Sequence, residues 1–276
     1  MTAADPRTVR HSVIAGQWYP GDPRALRAMM DGFLNKVAAV PLDGELVGLI
    51  VPHAGYVYSG QVAAYAYSQL QTHRFPRVVI VSPVHRMYVG SLAMTDKAYY
   101  ETPLGLVRVD KELVQALATR VEINRVSQDM EHSLEIQLPF LQHVMGDFSL
   151  TPIMMGDQDR DSAVELGHAL AEVIGQEQIL LVASTDLSHF HRYDEAVRLD
   201  ERVIQNIADY DPDGLSRTLA GEEGEACGGG PVIAVMRAAQ VLKANRAVVL
   251  KYMNSGDVTG DHSSVVGYAA AALACV

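Results

Sequence analysis

The sequence predicts one α/β domain over residues 1–276, with a mostly parallel central sheet and helices on both faces of that sheet. Three observations predict this fold class. Apolar runs of strand length alternate with segments of helical spacing along nearly the whole chain. The runs are almost continuous and rich in β-branched residues, as is typical of strands that are covered on both faces. Hydrophobic residues make up 49% of the chain, which is enough apolar surface for a large core.

Each element follows from its local pattern. Continuous apolar runs predict strands at 46–51, 77–82, 179–183 and 248–252. Apolar residues at helical spacing predict helices at 23–37, 59–70, 111–119, 162–174, 195–208 and 231–242. Shorter runs at 88–94 and 106–109, joined around residues 101–105, predict two more strands, antiparallel and at an edge. Pro139 interrupts the apolar stretch 134–144 and predicts a kinked helix there.

Charge and cysteine content restrict the partners and the compartment. The chain has 22 Lys and Arg residues against 33 Asp and Glu residues, a net charge of -11. An acidic chain is not expected to bind nucleic acid or an anionic membrane. The segment 1–10 is polar, and no apolar run is long enough to span a bilayer. Cys227 and Cys275 do not form a disulfide framework, so we expect a soluble protein of the reducing cytoplasm.

Histidines follow the ends of three predicted strands. His53 lies just past the strand at 46–51, and His85 lies just past the strand at 77–82. The strand at 179–183 leads into Asp186 and His189. Loops at the carboxyl ends of parallel strands converge on one crevice, so these side chains are expected to meet there. His189 is predicted to be the general acid or base, oriented by Asp186 or a neighbour, because imidazole titrates near neutral pH.

Cys227 precedes the predicted helix at 231–242, within a segment of three glycines and Pro231. A thiol at a helix start is expected to have a lowered pKa, which makes Cys227 a candidate metal ligand or nucleophile. Cys227 is therefore predicted to be the reactive cysteine, and Cys275 is not. The alternatives are a glycine-rich turn with an inert thiol, and a phosphate-binding loop in which the cysteine is incidental.

A further cluster surrounds His132. Ser133 can cap a helix, which places His132 at the helix start, and Glu131 is a candidate to orient an imidazole. Glu135 and Gln137 follow within the first turns. The remaining histidines are expected at the surface or in ordinary hydrogen bonds; of these we considered His11, His73, His143, His168 and His191.

Seven motifs in order resemble the Memo family, whose bacterial and archaeal members are called AmmeMemoRadiSam system protein B. The resemblance covers most of the chain. The motifs are Ala15-Gly-Gln-Trp-Tyr-Pro20, Pro52-His-Ala-Gly-Tyr56 with Tyr58-Ser-Gly60, Ser82-Pro-Val-His85, Glu131-His-Ser-Leu-Glu135 with Leu138-Pro139, Ser184-Thr-Asp-Leu-Ser-His189, Cys227-Gly, and Ser263-Ser-Val-Val-Gly-Tyr-Ala-Ala270.

The resemblance implies a fold similar to class III extradiol dioxygenases, which are non-haem iron enzymes. It implies that His53 and His85 match the two histidine ligands and that Cys227 stands at the place of the glutamate ligand. His189 matches the catalytic histidine of those enzymes, and His132 matches a further pocket histidine. A thiolate favours Cu, Zn or thiolate-bound Fe, so the expected cofactor is Fe(II) or Cu, with Zn as an alternative.

Three functions follow as expectations. The first is a metal-dependent redox enzyme; the others are a peptide-binding or scaffold module and a metal-free Cys-His hydrolase. Efficient cleavage of catechol rings is not expected, because a thiolate ligand is itself oxidisable. The resemblance implies a small molecule or a peptide as ligand, phosphotyrosine peptides being bound by animal members. It also implies radical-SAM and AMMECR-type proteins as partners.

Overall fold

The computed structural model describes residues 5–276, so residues 1–4 of the predicted domain lie outside the described part. Its strands are β1 (Val9–Arg10), β2 (Glu45–Val51), β3 (Arg77–Pro83), β4 (Leu92–Thr95), β5 (Tyr99–Thr102), β6 (Gly105–Val109), β7 (Asn124–Val126), β8 (Ser149–Met155), β9 (Ile179–Ser184), β10 (His189–His191), β11 (Arg246–Asn254) and β12 (Val265–Cys275). Its helices are α1 (Pro23–Leu34), α2 (Tyr56–Ser68), α3 (Lys111–Leu117), α4 (His132–Glu135), α5 (Leu138–Met145), α6 (Arg160–Ile174), α7 (Tyr193–Ala208), α8 (Pro212–Ala220), α9 (Gly229–Val241) and α10 (Ser255–Thr259).

The strands form one mixed sheet with a parallel centre. Strands β6, β8, β3, β9 and β2 lie side by side and run parallel, while β12 joins β2 in antiparallel orientation. β11 and β10 both pair with β12, and β4 pairs with β8. The predicted fold class, an α/β protein with a mostly parallel sheet, is therefore confirmed.

Helices cover both faces of the sheet, and the strand residues alternate between two hydrophobic layers. In β2, Leu49 and Val51 face the layer that contains α2, while Ile50 faces the layer that contains α6 and α9. This double coverage explains why the central strands are apolar without interruption. In the described part of the chain, none of the helices is both long and apolar enough to cross a membrane.

The predicted strands at 46–51, 77–82, 179–183 and 248–252 correspond to β2, β3, β9 and β11. Two buried strands, β8 and β12, lie outside those predictions. β8 contains Pro152, which is rare in central strands because it lacks an N–H. The structure tolerates it because β8 pairs with β6 only at Ser149 and Leu150 and with β4 only at Met154 and Met155. Pro152 falls in the gap between these two pairings.

The amino-acid composition of β12 does not predict a strand. Its residues 269–272 are four consecutive alanines, which favour helices by intrinsic propensity. Pairing with β2 on one side and β11 on the other satisfies the backbone groups of this segment and overrides that propensity.

The kinked helix predicted around Pro139 is wrong. The segment instead forms two helices, and Pro139 lies in the first turn of the second, α5. A proline is accepted at this position because the N–H groups of a first helical turn have no partner within the helix. The break between α4 and α5 lets His132 at the start of α4 lie over the carboxyl ends of the strands, while α5 packs against α2.

Candidate metal centre

Three loops at the carboxyl edge of the sheet converge, as expected from the sequence. His53 follows β2, His85 follows β3 and Asp186 follows β9. Their strands are neighbours in the order β3, β9, β2. The ring centres of His53 and His85 lie 5.1 Å apart. The adjacency of the three strands brings together residues that are far apart in the chain.

Cys227 joins these histidines from the loop before α9. Its N–H donates to the Asp186 carbonyl at 3.2 Å, and the Asp186 N–H donates to the Cys227 Sγ at 3.3 Å. A Cβ on Gly228 would lie 2.2 Å from the Ser184 carbonyl oxygen, so this close approach of two backbones requires glycine. Cys227 Sγ thereby lies 3.1 Å from His53 Nε2.

One candidate ligand atom from each of His53, His85 and Cys227 lies within 4.8 Å of those of the other two. The three residues differ in exposure: His53 is buried, Cys227 is intermediate and His85 is exposed. The group is therefore closed on the side of the sheet and open on the side of His85. This arrangement provides three ligands and leaves room for a further molecule.

Hydrogen bonds determine which ring nitrogen of each histidine is available. The Ser184 hydroxyl donates to the Ser133 carbonyl at 2.7 Å, so Ser184 Oγ accepts from His53 Nδ1 at 3.0 Å. His85 Nδ1 lies 3.0 Å from Glu131 Oε1 and donates to that carboxylate. Both histidines consequently donate through Nδ1, and their Nε2 atoms are not used by these bonds. Such outer hydrogen bonds are typical of metal-binding histidines.

Glu131 is the central carboxylate of this arrangement. It accepts backbone hydrogen bonds from His85 at 2.6 Å, from His132 at 2.9 Å and from Ser133 at 3.1 Å. Burial opposes its ionisation, but hydrogen bonds from His132 and His85 hold the pKa of Glu131 well below its usual range. It is therefore a fixed negative charge beside two histidines.

His132 completes a group of three neighbouring imidazoles. Its ring centre lies 4.7 Å from that of His85 and 5.6 Å from that of His53. Trp18 packs on its other side, with ring centres 4.3 Å apart. His85, Glu131 and His132 form a second set of mutually close ligand atoms. Because Glu131 is already committed to both histidines, we regard it as an outer partner of the first group.

The structure gives the protonation states of His53 and Cys227, and that of Cys227 differs from the expectation drawn from the sequence. Burial lowers the pKa of His53 well below its usual value, with His85 and His132 adding to the effect, so His53 is neutral. Burial, followed by the Asp186 carboxylate, raises the pKa of the Cys227 thiol above its usual range. The lowered pKa expected for Cys227 at a helix start is wrong for the protein without metal. Burial of the thiol raises its pKa by more than the nearby helix start lowers it.

Of the two orienting partners expected for His189, Asp186 or a neighbour, the structure shows a neighbour. Asp186 Oδ1 accepts the N–H of His53 at 2.7 Å, so it holds the His53 loop. Burial raises the pKa of Asp186 to about 6. His189 Nδ1 instead donates to the Leu187 carbonyl at 2.8 Å, which leaves Nε2 facing away from that bond. The orienting partner of His189 is therefore a neighbouring carbonyl group.

A cleft of about 590 Å³ lies in front of the three imidazoles. Asp186, His189 and Trp18 contribute to its walls together with Tyr58 and Phe190. Trp18 belongs to a recognised motif, but nothing local in the sequence indicates that its ring reaches His132. The sequence does not indicate the roles of Ser184 and Gln137 either. Ser184 Oγ accepts from His53 Nδ1, and Gln137 Nε2 donates to Ser184 Oγ, both contacts between residues distant in the chain.

The other histidines considered lie outside both ligand groups. His11, His143 and His191 each lie beside a carboxylate, namely Glu101, Asp31 and Glu225. His73 Nδ1 bonds the Gln69 carbonyl, and His168 is exposed on α6. Their neighbours give them ordinary surface roles, as predicted.

Comparisons with known proteins agree with this description. The family model described as Memo-like protein matches residues 10–272. MEMO1 family protein MTH_45 of Methanothermobacter thermautotrophicus is 36% identical to the chain, over 95% of the chain and 99% of the relative. A MEMO1 family protein of Methanococcoides burtonii is 39% identical, over 95% and 98% respectively. Uncharacterized protein JW3007 from Escherichia coli K12 shares the fold, with a TM-score of 0.58 at 15% identity, over 82% of this chain and 99% of that one.

Proposed function

The chain belongs to the Memo-like protein family, and from this premise we propose that it is a metal-dependent redox protein. Its ion would be held by His53, His85 and Cys227. The observation that carries the proposal is the mutual proximity of their ligand atoms, all within 4.8 Å of one another. Two of the three residues, His53 and His85, also line the cleft. The orientation of both imidazoles by Ser184 and Glu131 supports it, since ligands held in advance bind metal more tightly.

The donor set restricts the metal. Two neutral imidazoles and one thiolate favour Fe(II), Cu or Zn over Mg²⁺ or Ca²⁺, which prefer oxygen ligands. Three protein ligands are fewer than the four of most structural zinc sites, so positions remain for a substrate. When bound, Fe or Cu would supply one-electron chemistry and a binding position for dioxygen.

The chain's own groups have distinct tasks in this proposal. Cys227 would hold the ion as a thiolate, with its proton lost to solvent, and the charge of the ion would compensate that thiolate in its enclosed position. Asp186 holds the His53 backbone. His189 lines the cleft with its ring held by the Leu187 carbonyl, and it can take a proton from a substrate hydroxyl or amine. His132 lies deeper, between Trp18 and His85.

A thiol hydrolase is a second candidate, because Cys227 Sγ and His53 Nε2 are 3.1 Å apart. Nucleophilic thiols need a thiolate, usually paired with a protonated imidazole. Burial moves both pKa values in the opposite direction, toward the neutral thiol and the neutral imidazole. A neutral thiol that donates to the neutral imidazole accounts for the short distance, and such a pair lacks the thiolate that a hydrolase needs, so the metal centre is the better proposal.

Metal analysis of protein purified without added metal is the primary test. The proposal requires about one Fe or Cu per chain, the stoichiometry of a single three-ligand site. Zn alone would support the metal site but contradict redox chemistry, because Zn²⁺ undergoes no change of oxidation state. Oxygen uptake with catechols and other phenols then tests redox activity. We expect oxidation without the yellow ring-opened product. Protein free of metal that still hydrolyses esters or peptides would contradict the proposal and favour the hydrolase.

His189→Ala is expected to lower turnover per bound metal by roughly 10²- to 10⁴-fold, the usual contribution of a general acid or base. Its metal content should be unchanged, because His189 is not one of the three grouped ligands. Oxygen uptake normalised to metal content measures this, with His168→Ala as the control. Loss of the metal with normal turnover per remaining ion would show that His189 is a ligand.

Glu131→Gln is expected to weaken metal binding about 10-fold, and Glu131→Ala by up to about 100-fold. The glutamine retains an oxygen that can accept from His85 but loses the negative charge, so it should rescue part of the loss. Competition with a chromophoric chelator measures the affinity, and Glu165→Gln on the exposed face of α6 is the matched control. Unchanged affinity in both Glu131 variants would show that Glu131 does not position His85.

A further inference from the structure

The cleft in front of the candidate metal centre has an unusual charge composition. Among the described residues that line it, none is Lys or Arg. Two are aspartates, Asp186 and Asp261. The whole chain also carries a net charge of -11. The carboxylates of the cleft and the net charge of the chain therefore both favour the binding of cations over that of anions.

One wall of the cleft is aromatic and is open to solvent. Tyr58 is 44% exposed and Phe190 is 75% exposed, and both line the cleft with Trp18. Phe190 has a φ of 64°, a left-handed conformation that is uncommon for an aromatic residue. It lies where the pairing of β10 with β12 is interrupted, next to His189. A bulky apolar residue held exposed in this conformation indicates contact with a ligand.

Another part of the lining comes from α10 and the following loop, and it is polar. Ser255, Thr259, Asp261 and Ser264 line it. The N–H and the hydroxyl of Ser263 donate to Asp261 Oδ1 at 2.9 Å and 2.7 Å, which holds the carboxylate in place. Asp261 Oδ2 has no hydrogen bond within residues 5–276. An exposed carboxylate and aromatic rings that line the same cleft suit an ammonium group, which both attract.

We propose that this cleft selects small molecules that combine an apolar ring or chain with a cationic amine, and that it disfavours phosphate- and carboxylate-bearing ligands such as phosphotyrosine peptides. The ring would contact Trp18, Tyr58 and Phe190, and the amine would contact Asp261. The inference rests on the proposed function for the chemistry that follows binding. The selectivity itself depends only on the residues of the cleft.

A matched set of probes tests this selectivity: phenethylamine, 2-phenylethanol and 3-phenylpropanoate. All three carry a phenyl ring on a two-carbon arm and differ in charge. The chain contains one tryptophan, Trp18, which lies in the cleft and whose fluorescence reports binding directly. We expect phenethylamine to bind about 3- to 10-fold more tightly than the alcohol, and the carboxylate to bind most weakly. The difference should shrink as salt is added.

Asp261→Asn removes the charge while retaining an oxygen that Ser263 can bond. It should abolish the preference for the amine over the alcohol, mainly by weakening the binding of the amine. Asp147→Asn is the matched control, because this exposed aspartate lies two residues before β8, at the opposite edge of the sheet. The control should retain the full preference.

Three results would overturn the proposal: 3-phenylpropanoate or phosphotyrosine binding as tightly as phenethylamine, the Asp261→Asn variant retaining the preference, or no Trp18 response to any probe. Metal content is measured in the same samples. Normal metal content without amine selectivity would contradict this inference alone. Amine selectivity in a protein that binds no Fe, Cu or Zn would contradict the proposed redox function alone.

Discussion

Simultaneous replacement of His53 and His85 by alanine and of Cys227 by serine is expected to abolish binding of transition metal. All three candidate ligands are then lost, and Glu131 and Ser184 have no imidazole left to orient. Loss of a single outer partner costs about 10- to 100-fold in affinity, so loss of the ligands themselves should exceed about 100-fold. Metal analysis after dialysis against metal-free buffer measures the result.

The matched control is His168→Ala combined with Cys275→Ser, which removes the same types of side chain from outside the group. Thermal unfolding provides a second measurement. A ligand that binds only the folded state raises Tm, so a chelator should lower the Tm of the natural protein and of the control but not that of the triple variant. A triple variant with unchanged metal content would show that the ion, if present, binds elsewhere.

Arg10→Met is expected to destabilise the fold by about 3–5 kcal/mol, the usual cost of leaving a buried charge without its partner. Arg10 is 4% exposed and forms an ion pair with the fully buried Glu135. Its Nε lies 3.5 Å from Asp129 Oδ2, so the substitution leaves two buried carboxylates without their cation. Arg10 Nη2 also donates to the Glu131 carbonyl at 2.7 Å, which connects this network to the candidate metal centre.

The control for this prediction lies three residues earlier. Arg7 also pairs with a carboxylate, that of Asp5, but its side chain is 89% exposed. Arg7→Met should therefore leave the free energy of unfolding nearly unchanged, because water screens this exposed pair. Urea unfolding of both variants, with metal removed beforehand, separates the effect of the network from that of metal binding. Equal free energies of unfolding for the two variants would contradict a structural role of Arg10.

Local patterns were sufficient for much of the fold. The spacing of apolar residues places β2, β3, β9 and most helices, because a strand or helix buried on known faces requires a particular period. The strand ends then identify His53 and His85, since parallel strands carry their following loops to one edge. β8 and β12 contradict their own local preferences, because Pro152 and the alanines at 269–272 are accommodated by neighbouring strands.

The sequence by itself determined which residue types follow each strand and therefore which side chains can reach the crevice. Only the tertiary structure decided what surrounds them. The raised pKa of Cys227, the use of Asp186 to hold His53, and the contact of Trp18 with His132 all depend on residues distant in the chain. Burial and hydrogen bonding determine protonation, and both are properties of three-dimensional surroundings that no local spacing specifies.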